Sequence, residues 1–329
     1  MSRQQVVAVT GASGFVGSAL VEALRKEPTV ACRAFYRSLP QHRLDDVDQI
    51  EGGDLTKGPL PAEVLRGVDT VVHTAARTHV LRDPTHDPYA AYRRINVDGT
   101  MNVAKSAIAA GVKRFIFLSS IKVNGESTPI GRPFTDMDDP APEDAYGLTK
   151  LEAERGLSDL AASGALTVRV LRSPLVYGPG VKGNLAQLLR LVDQGVPLPF
   201  ASVRNSRSMI ALQNLVSAIV ASADPAVGGS ATHLVSDQED LSTVELIRAL
   251  ADGLHRGARL WSLPDSVLEF GARIAGRADQ ARRLLGSLTV DSSGLTRDLG
   301  WRPSVRPREG LAEMARHYAE TSPVSRPAG

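Results

Sequence analysis

An α/β fold is predicted, a doubly wound parallel sheet with a smaller, mostly helical C-terminal lobe. Three observations carry this. Short runs rich in valine, isoleucine and leucine alternate with segments of helical periodicity through the first half. Those runs are apolar throughout, as strands are when helices cover both faces of their sheet. The first run passes through a glycine-rich turn straight into a helix.

Taken in order, Val6–Thr10 is the first strand and Gly14–Lys26 the first helix. Cys32–Tyr36, Asp69–Thr74, Arg114–Ser119 and Thr167–Arg172 are further strands. Helices fill Tyr89–Ala110 and Ala145–Ser163. After Pro174 the alternation loosens. Helices are expected at Leu185–Gln194, Gln213–Ala223, Thr243–His255, Val267–Gly276 and Arg308–Glu320, with extended pieces at Ser208–Leu212 and Thr232–Val235. No repeat and no low-complexity linker divides the chain.

Composition narrows the function classes. The chain has 329 residues and is 43% hydrophobic, enough for a large core. With 38 Lys+Arg against 36 Asp+Glu and no basic run, a nucleic-acid partner is not expected. No stretch approaches the roughly 18 apolar residues of a membrane span. The N-terminus resembles a signal peptide only superficially, so a cytoplasmic location is expected. Cys32 is the only cysteine, which excludes an internal disulfide and a cysteine metal cluster. No metal site is expected.

"VTGASGFVGSAL" places Gly11, Gly14 and Gly17 between a strand and a helix. Glycines there let the backbone turn tightly and approach a pyrophosphate, which rests on the helix N-terminus. Gly11, Ser13, Gly14, Phe15, Val16 and Gly17 are the expected cradle of a Rossmann-type dinucleotide site. Residues 1–173 are then the dinucleotide-binding domain, with segments near 208–235 returning to it. Residues 174–320 form an interleaved substrate lobe, and 321–329 a disordered tail.

The G-x-x-G-x-x-G spacing resembles the short-chain dehydrogenase/reductase superfamily. Further fragments resemble its extended branch, the nucleotide-sugar epimerases and dehydratases. "GDL" (Gly53–Leu55) is similar to the adenine-contacting turn and implies roles for Asp54 and Leu55. "HTAA" (His73–Ala76) is similar to the turn beneath the cofactor ribose and implies Thr74, Ala75 and Ala76. "INVDGT" (Ile95–Thr100) is similar to the helix with the active-site asparagine. "LVYGPG" (Leu175–Gly180) follows the sixth strand as in relatives. "LGWRP" (Leu299–Pro303) resembles the closing motif, with Trp301 in packing.

NAD-binding units of this type end the second strand with an acidic residue that holds the ribose. Here "ACRAFYRS" ends in Tyr36 and Arg37, with Arg33 nearby. A guanidinium suits a 2′-phosphate. NADP(H) is therefore the expected cofactor, with NAD(H) possible.

Tyr146 and Lys150 are four apart, so a helix puts both on one face. An ammonium beside the phenol favours phenolate. Ser120 stands at the C-terminal end of a parallel strand, where α/β sheets place their sites, and can share the same substrate oxygen. Ser119 points the other way. The resemblance implies that Ser120, Tyr146, Lys150 and Asn96 form the catalytic group, that Lys150 also binds the nicotinamide ribose, and that Asn96 mainly holds local geometry.

For the substrate the resemblance implies a UDP-sugar. Arg207 stands where relatives contact the diphosphate, with Met209 in place of an aromatic residue. Asn184 stands where they meet the nucleotide, and Arg283 is a second phosphate candidate. Arg77, His79, Lys122, Asn124, Val176 and Tyr177 surround the expected sugar position; Asn124 replaces a tyrosine of many epimerases. The "SSIKVNGEST" run resembles the surface-polysaccharide branch acting at C4 of UDP-N-acetylhexosamines. Two reactions share this chemistry. Arg37 and that branch favour a 4-ketosugar reductase; the alternative is a UDP-sugar 4-epimerase. A non-catalytic NADP(H)-binding sensor is a third reading, disfavoured because Tyr146 and Lys150 are both present. A homodimer is implied through the two helices bearing Asn96 and Tyr146, with Ala104, Ala107, Ile108, Leu151 and Leu157 as candidate contacts or as residues packed on the sheet.

Overall fold

The computed structural model describes residues 3–78, 87–264, 267, 268, 270, 273 and 284–321. His79, Arg283, most of the expected 267–276 helix and the C-terminal tail lie outside the described residues.

The first half runs β1 (Gln5–Thr10), α1 (Phe15–Leu24), β2 (Val30–Tyr36), β3 (Asp48–Glu51), β4 (Thr70–His73), α2 (Pro88–Arg93), α3 (Thr100–Ala109), β5 (Arg114–Ser120), α4 (Ala145–Ala162) and β6 (Thr167–Ser173). The second runs β7 (Leu175–Tyr177), α5 (Asn184–Asp193), β8 (Met209–Ala211), α6 (Leu212–Ala223), β9 (Ala231–Leu234), α7 (Thr243–Gly253), α8 (Ser293–Leu299) and α9 (Pro307–Thr321). Seven strands form one sheet in the order β3-β2-β1-β4-β5-β6-β9, and every pairing is parallel. β7 and β8 pair separately.

Side chains of successive strand residues point to opposite faces. Val7, Val9, Ile116 and Leu171 enter one apolar layer with Leu20 and Val21 of α1 and Leu215 and Ile219 of α6. Ala8, Phe115, Phe117, Val168 and Val170 enter the other, with Val103 and Ala107 of α3 and Ala153 and Leu157 of α4. Burial on both faces is why these strands read as unbroken apolar runs. Cys32 lies in the first layer, where burial pushes its thiol up to about 12, so it stays a protonated, inert packing residue. The lobe has its own core, in which Leu188 and Leu189 of α5, Ile247 and Leu250 of α7, and Leu311 and Met314 of α9 meet.

Two elements carry no apolar signature. β3 ("DQIE") is an edge strand; Arg33 on β2 donates to Asp48 at 2.6 Å in register with it. The seven-residue α8 ends on Gly300 in the left-handed region. The expected 89–110 helix is interrupted by a π-helical turn at Arg94–Gly99, which separates α2 from α3. Of the residues offered for a two-fold contact, Ala104, Ala107 and Leu157 are buried in the chain's own layer, Ile108 packs against it, and Leu151 is buried. All but Leu151 are thereby placed on the sheet side of their helices.

Candidate active site

β1 and β4 end side by side, and their turns touch. Gly11 has φ +76°, and a Cβ on it would lie 2.6 Å from the Ala75 nitrogen. A Cβ on Gly17 would lie 2.1 Å from the Gly11 carbonyl oxygen. These positions admit glycine alone. Gly14 caps α1 without a side-chain hydrogen bond, so no capping side chain takes the first amides of the helix, at Phe15, Val16 and Gly17. Ser13 and Gly14 are exposed above them. A tight glycine turn feeding an uncapped helix start fits a pyrophosphate. Thr74 Oγ1 donates to the Thr10 carbonyl at 2.7 Å, fixing the "HTAA" turn against β1. Asp54 caps the turn Leu55–Lys57 by accepting from Thr56 N at 3.0 Å, and the Leu55 carbonyl accepts from Asn102 Nδ2 at 2.9 Å.

Arg33 is not available to a 2′-phosphate. Its Nε is held by Asp48, and its Nη1 donates to the carbonyls of Val64 and Arg66 at 2.9 and 3.2 Å. Tyr36 is buried at the end of β2, and Arg37 is exposed beside it. Arg37 lies close enough to Asp54 that the guanidinium charge helps hold that carboxyl below its ordinary range, after the larger effect of the Thr56 hydrogen bonds. The cation that favours NADP(H) therefore shares its field with a carboxylate.

At the C-terminal end of β5, the Ser120 hydroxyl stands close enough to the Tyr146 phenol to act on its titration. The Tyr146 ring packs edge-on against Tyr92 of α2, centroids 6.0 Å apart at 61°, and the Arg77 guanidinium lies 5.5 Å over the other ring. Lys150 is 2% exposed; its Nζ donates to the Leu118 carbonyl at 2.8 Å and sits 4.4 Å from the Phe117 ring centroid. Burial pushes this ammonium down to about 7, opposed by the charge of Glu154. The Tyr146 phenol is pushed up, chiefly by burial, and the Ser120 hydroxyl works the other way. The expected lowering of the phenol by Lys150 is thus not what the chain displays, because the ammonium is turned onto the main chain of β5 and the Phe117 face.

Asn96, fully buried in the π-helical turn, makes a two-way clamp. Its Oδ1 accepts from Arg77 N at 2.8 Å; its Nδ2 donates to Arg77 O and to Thr149 Oγ1, each at 3.2 Å. It does not touch Tyr146 directly but ties the turn after β4 to the helix that carries Tyr146. Behind it, His73 is held between Thr10 Oγ1 at 2.7 Å and Thr100 Oγ1 at 3.1 Å, and burial pushes its imidazole down to about 3. His73, Thr149 and Tyr92 were not read from sequence as site residues; apolar neighbours hide a histidine or threonine at a strand end or helix interior.

The expected sugar contacts divide. The Lys122 ammonium is held by Glu126 at 2.5 Å and by Asp144, the N-cap of α4, so it secures the start of that helix. Tyr177 is fully buried in the lobe core, and its hydroxyl donates to Asp237 at 2.7 Å; it is a packing residue. Val176 is partly buried in β7. Asn124 is 2% exposed; its Oδ1 accepts from Arg172 at 3.0 Å, while its Nδ2 has no protein partner. Asn184 opens α5 after Gly183, which is the cap, and its buried Oδ1 has no protein partner. Arg207 is half-buried; its main chain bridges Leu241 and Leu288, and its Nη1 donates to the Gly286 carbonyl at 2.9 Å. A cavity of about 450 Å³ lined by Arg169, His233, Asp136 and Asp298 includes none of Ser120, Tyr146 and Lys150. Among the described residues no cluster of histidine, cysteine and carboxylates could hold a metal ion, and no helix is long and apolar enough to cross a membrane.

Comparison with known proteins agrees with this geometry. Residues 7–234 match the NAD dependent epimerase/dehydratase family. A UDP-glucose 4-epimerase of Vibrio cholerae is 41% identical over 321 residues, covering 96% of each chain. Among solved structures, MoeE5 in complex with UDP-glucuronic acid and NAD superposes with a TM-score of 0.76 at 28% identity, covering 95% of this chain and 99% of that one. The UDP-N-acetylglucosamine 4-epimerase of Bacillus cereus shares the fold, with a TM-score of 0.76 at 18% identity over 95% and 96% of the two chains.

Proposed function

The chain belongs to the NAD dependent epimerase/dehydratase family, and from that premise we propose that it interconverts UDP-sugars by epimerisation at C4. The observation that carries this is the Ser120 hydroxyl beside the Tyr146 phenol, with Lys150 buried one helical turn away. The likeness to the Vibrio enzyme favours the 4-epimerase over the ketosugar reductase that Arg37 and the "SSIKVNGEST" run had favoured.

Bound nicotinamide supplies a hydride acceptor and donor. The chain's own residues handle the proton. Ser120 and Tyr146 converge on one substrate oxygen, the 4-hydroxyl. As the C4–H bond breaks, the hydroxyl proton passes to Tyr146; when hydride returns to the opposite face of the ketone, Tyr146 gives the proton back. Burial by itself favours the protonated phenol, so the proton-accepting step starts from the phenolate, which Lys150 stabilises while it is protonated. Lys150 is also assigned the nicotinamide ribose, and Asn96 holds the turn at Arg77 in register.

NAD is the proposed cofactor. An epimerase returns the hydride it takes, Arg33 is committed to Asp48, and the Asp54 carboxylate lies within the field of Arg37. Arg207 is assigned the diphosphate, and Asn184 the nucleotide, because its buried acceptor has no protein partner. Asn124 offers an amide donor at the sugar end. A homodimer is proposed through the outer faces of α3 and α4, where Leu148 is 38% exposed; light scattering at micromolar concentration reads it. Absorbance at 340 nm with UDP-hexoses tests the reaction class: conversion of the sugar with no net change supports the epimerase, and stoichiometric NAD(P)H consumption overturns it in favour of the reductase.

A further inference from the structure

Beneath the reacting residues lies a closed polar cluster that the proton chemistry above does not use. Glu154 of α4 and Arg172 of β6 are each 6% exposed. The Glu154 carboxylate accepts from Arg172 Nη2 at 2.6 Å, from Arg172 Nε at 3.1 and 3.2 Å, and from the Ser119 hydroxyl. Arg172 Nη1 reaches Asn124 Oδ1 at 3.0 Å. Each end of the cluster abuts a reacting group. Ser119 precedes Ser120 on β5, Asn124 closes the short turn Ile121–Val123 that follows Ser120, and Glu154 stands one helical turn beyond Lys150 on the same face of α4. A buried Arg–Glu pair adds little stability over apolar residues of the same volume. Packing therefore does not explain why carboxylate and guanidinium stand here.

We propose that Glu154 is a positioning residue for the reaction: through Ser119 it anchors the end of β5 that carries Ser120, and its carboxylate is the fixed counter-charge behind Lys150. This rests on the hydride-transfer reading above.

The groups facing Lys150 make the charge argument specific. Tyr146 and Glu154 face it from α4, and Arg172 stands behind Glu154 on β6. His73 of β4, held down to about 3, is neutral at working pH and adds no charge. Asp144, at the start of α4, is paired with Lys122, and Tyr92 of α2 packs on Tyr146. Among the described residues, Glu154 is thus the anion set against the burial that drives Lys150 towards neutrality. Removing its charge lowers the ammonium further. Since Lys150 works protonated, the alkaline limb of activity moves to lower pH.

The test is the pH profile of kcat/KM for UDP-glucose, together with NAD affinity against pH. In Glu154→Gln both alkaline limbs are expected to move down by about one pH unit, while Glu154→Asp, which retains the charge, leaves them in place. Because Glu154→Gln strands Arg172 and can fail to fold, E154Q/R172M removes both charges and is expected to show a smaller move in the same direction, since the nearer charge is lost along with an opposing, more distant one. Ser119→Ala is expected to lower kcat without moving either limb. Limbs that stay in place in folded E154Q or E154Q/R172M overturn the proposal. An unaltered chain that interconverts no UDP-hexose defeats the hydride-transfer reading instead, and the NAD affinity profile still judges Glu154.

Discussion

Asn96 and Arg77 are joined through both polar atoms of one amide: Oδ1 accepts from the Arg77 nitrogen at 2.8 Å and Nδ2 donates to the Arg77 oxygen at 3.2 Å. The π-helical turn brings the amide to a main-chain segment of another element, so the turn after β4 and the helix pair α2–α3 are tied together. Asn96→Ala removes both hydrogen bonds to the half-buried Arg77 main chain. A loss of about 0.5–1.5 kcal/mol is expected for each bond, read as a lowered urea midpoint, with a fall in kcat because Arg77 lies over Tyr92, on which Tyr146 packs. A variant as stable as the parent would show that the clamp is dispensable.

His73 gives the fold an acid limit. Its ordinary value is near 6.5, and burial holds it at about 3. Below about 6.5 the unfolded chain takes up a proton that the folded chain refuses, so this group's contribution to stability falls as pH drops from about 6.5 towards 3. Thermal melting across that range is expected to show a decline that is reduced in His73→Asn. Equal slopes in both proteins would remove His73 from the acid response.

The cofactor choice turns on Arg37 and Asp54. NADH is expected to bind at least as tightly as NADPH by fluorescence titration. Arg37→Asp is expected to weaken NADPH more than NADH, through repulsion at the 2′-phosphate. NADPH binding tenfold tighter than NADH in the unaltered chain would restore the preference that the end of β2 suggests from sequence.

Much of this site was legible in the sequence, for reasons visible in the fold. Strands buried on both faces announce themselves as apolar runs, and the glycine turn, Ser120 and the Tyr146–Lys150 spacing are local patterns. Sequence cannot say which of several partners a long polar side chain will choose. Lys122 was expected at the sugar and is held by Glu126 and Asp144; Tyr177 was expected there and donates to Asp237 in the lobe core. The Glu154–Arg172 pair joins a helix to a strand, and no spacing rule foretells it. β3 stayed hidden because an exposed edge strand needs hydrogen bonds more than apolar residues.

Arg207 is the proposed partner of the diphosphate. Charge-assisted hydrogen bonds to such groups contribute roughly 1.5–3 kcal/mol each, so Arg207→Ala is expected to raise KM for the UDP-sugar about 10- to 100-fold, with NAD affinity nearly unchanged. Calorimetric titration with UDP isolates the effect. Undiminished UDP affinity would leave Arg207 to its contact with the Gly286 carbonyl.

The central claim is that hydride leaves C4 and returns to the same carbon while Tyr146 carries the proton. The most direct measurement follows UDP-glucose deuterated at C4, incubated with the purified chain and NAD, by nuclear magnetic resonance. The account predicts a C4 epimer that keeps deuterium at C4, and a rate at least ~10²-fold lower in Tyr146→Phe, the usual scale for a lost general acid–base. An epimer whose C4 carries hydrogen drawn from solvent, or a Tyr146→Phe variant with full activity, would contradict it.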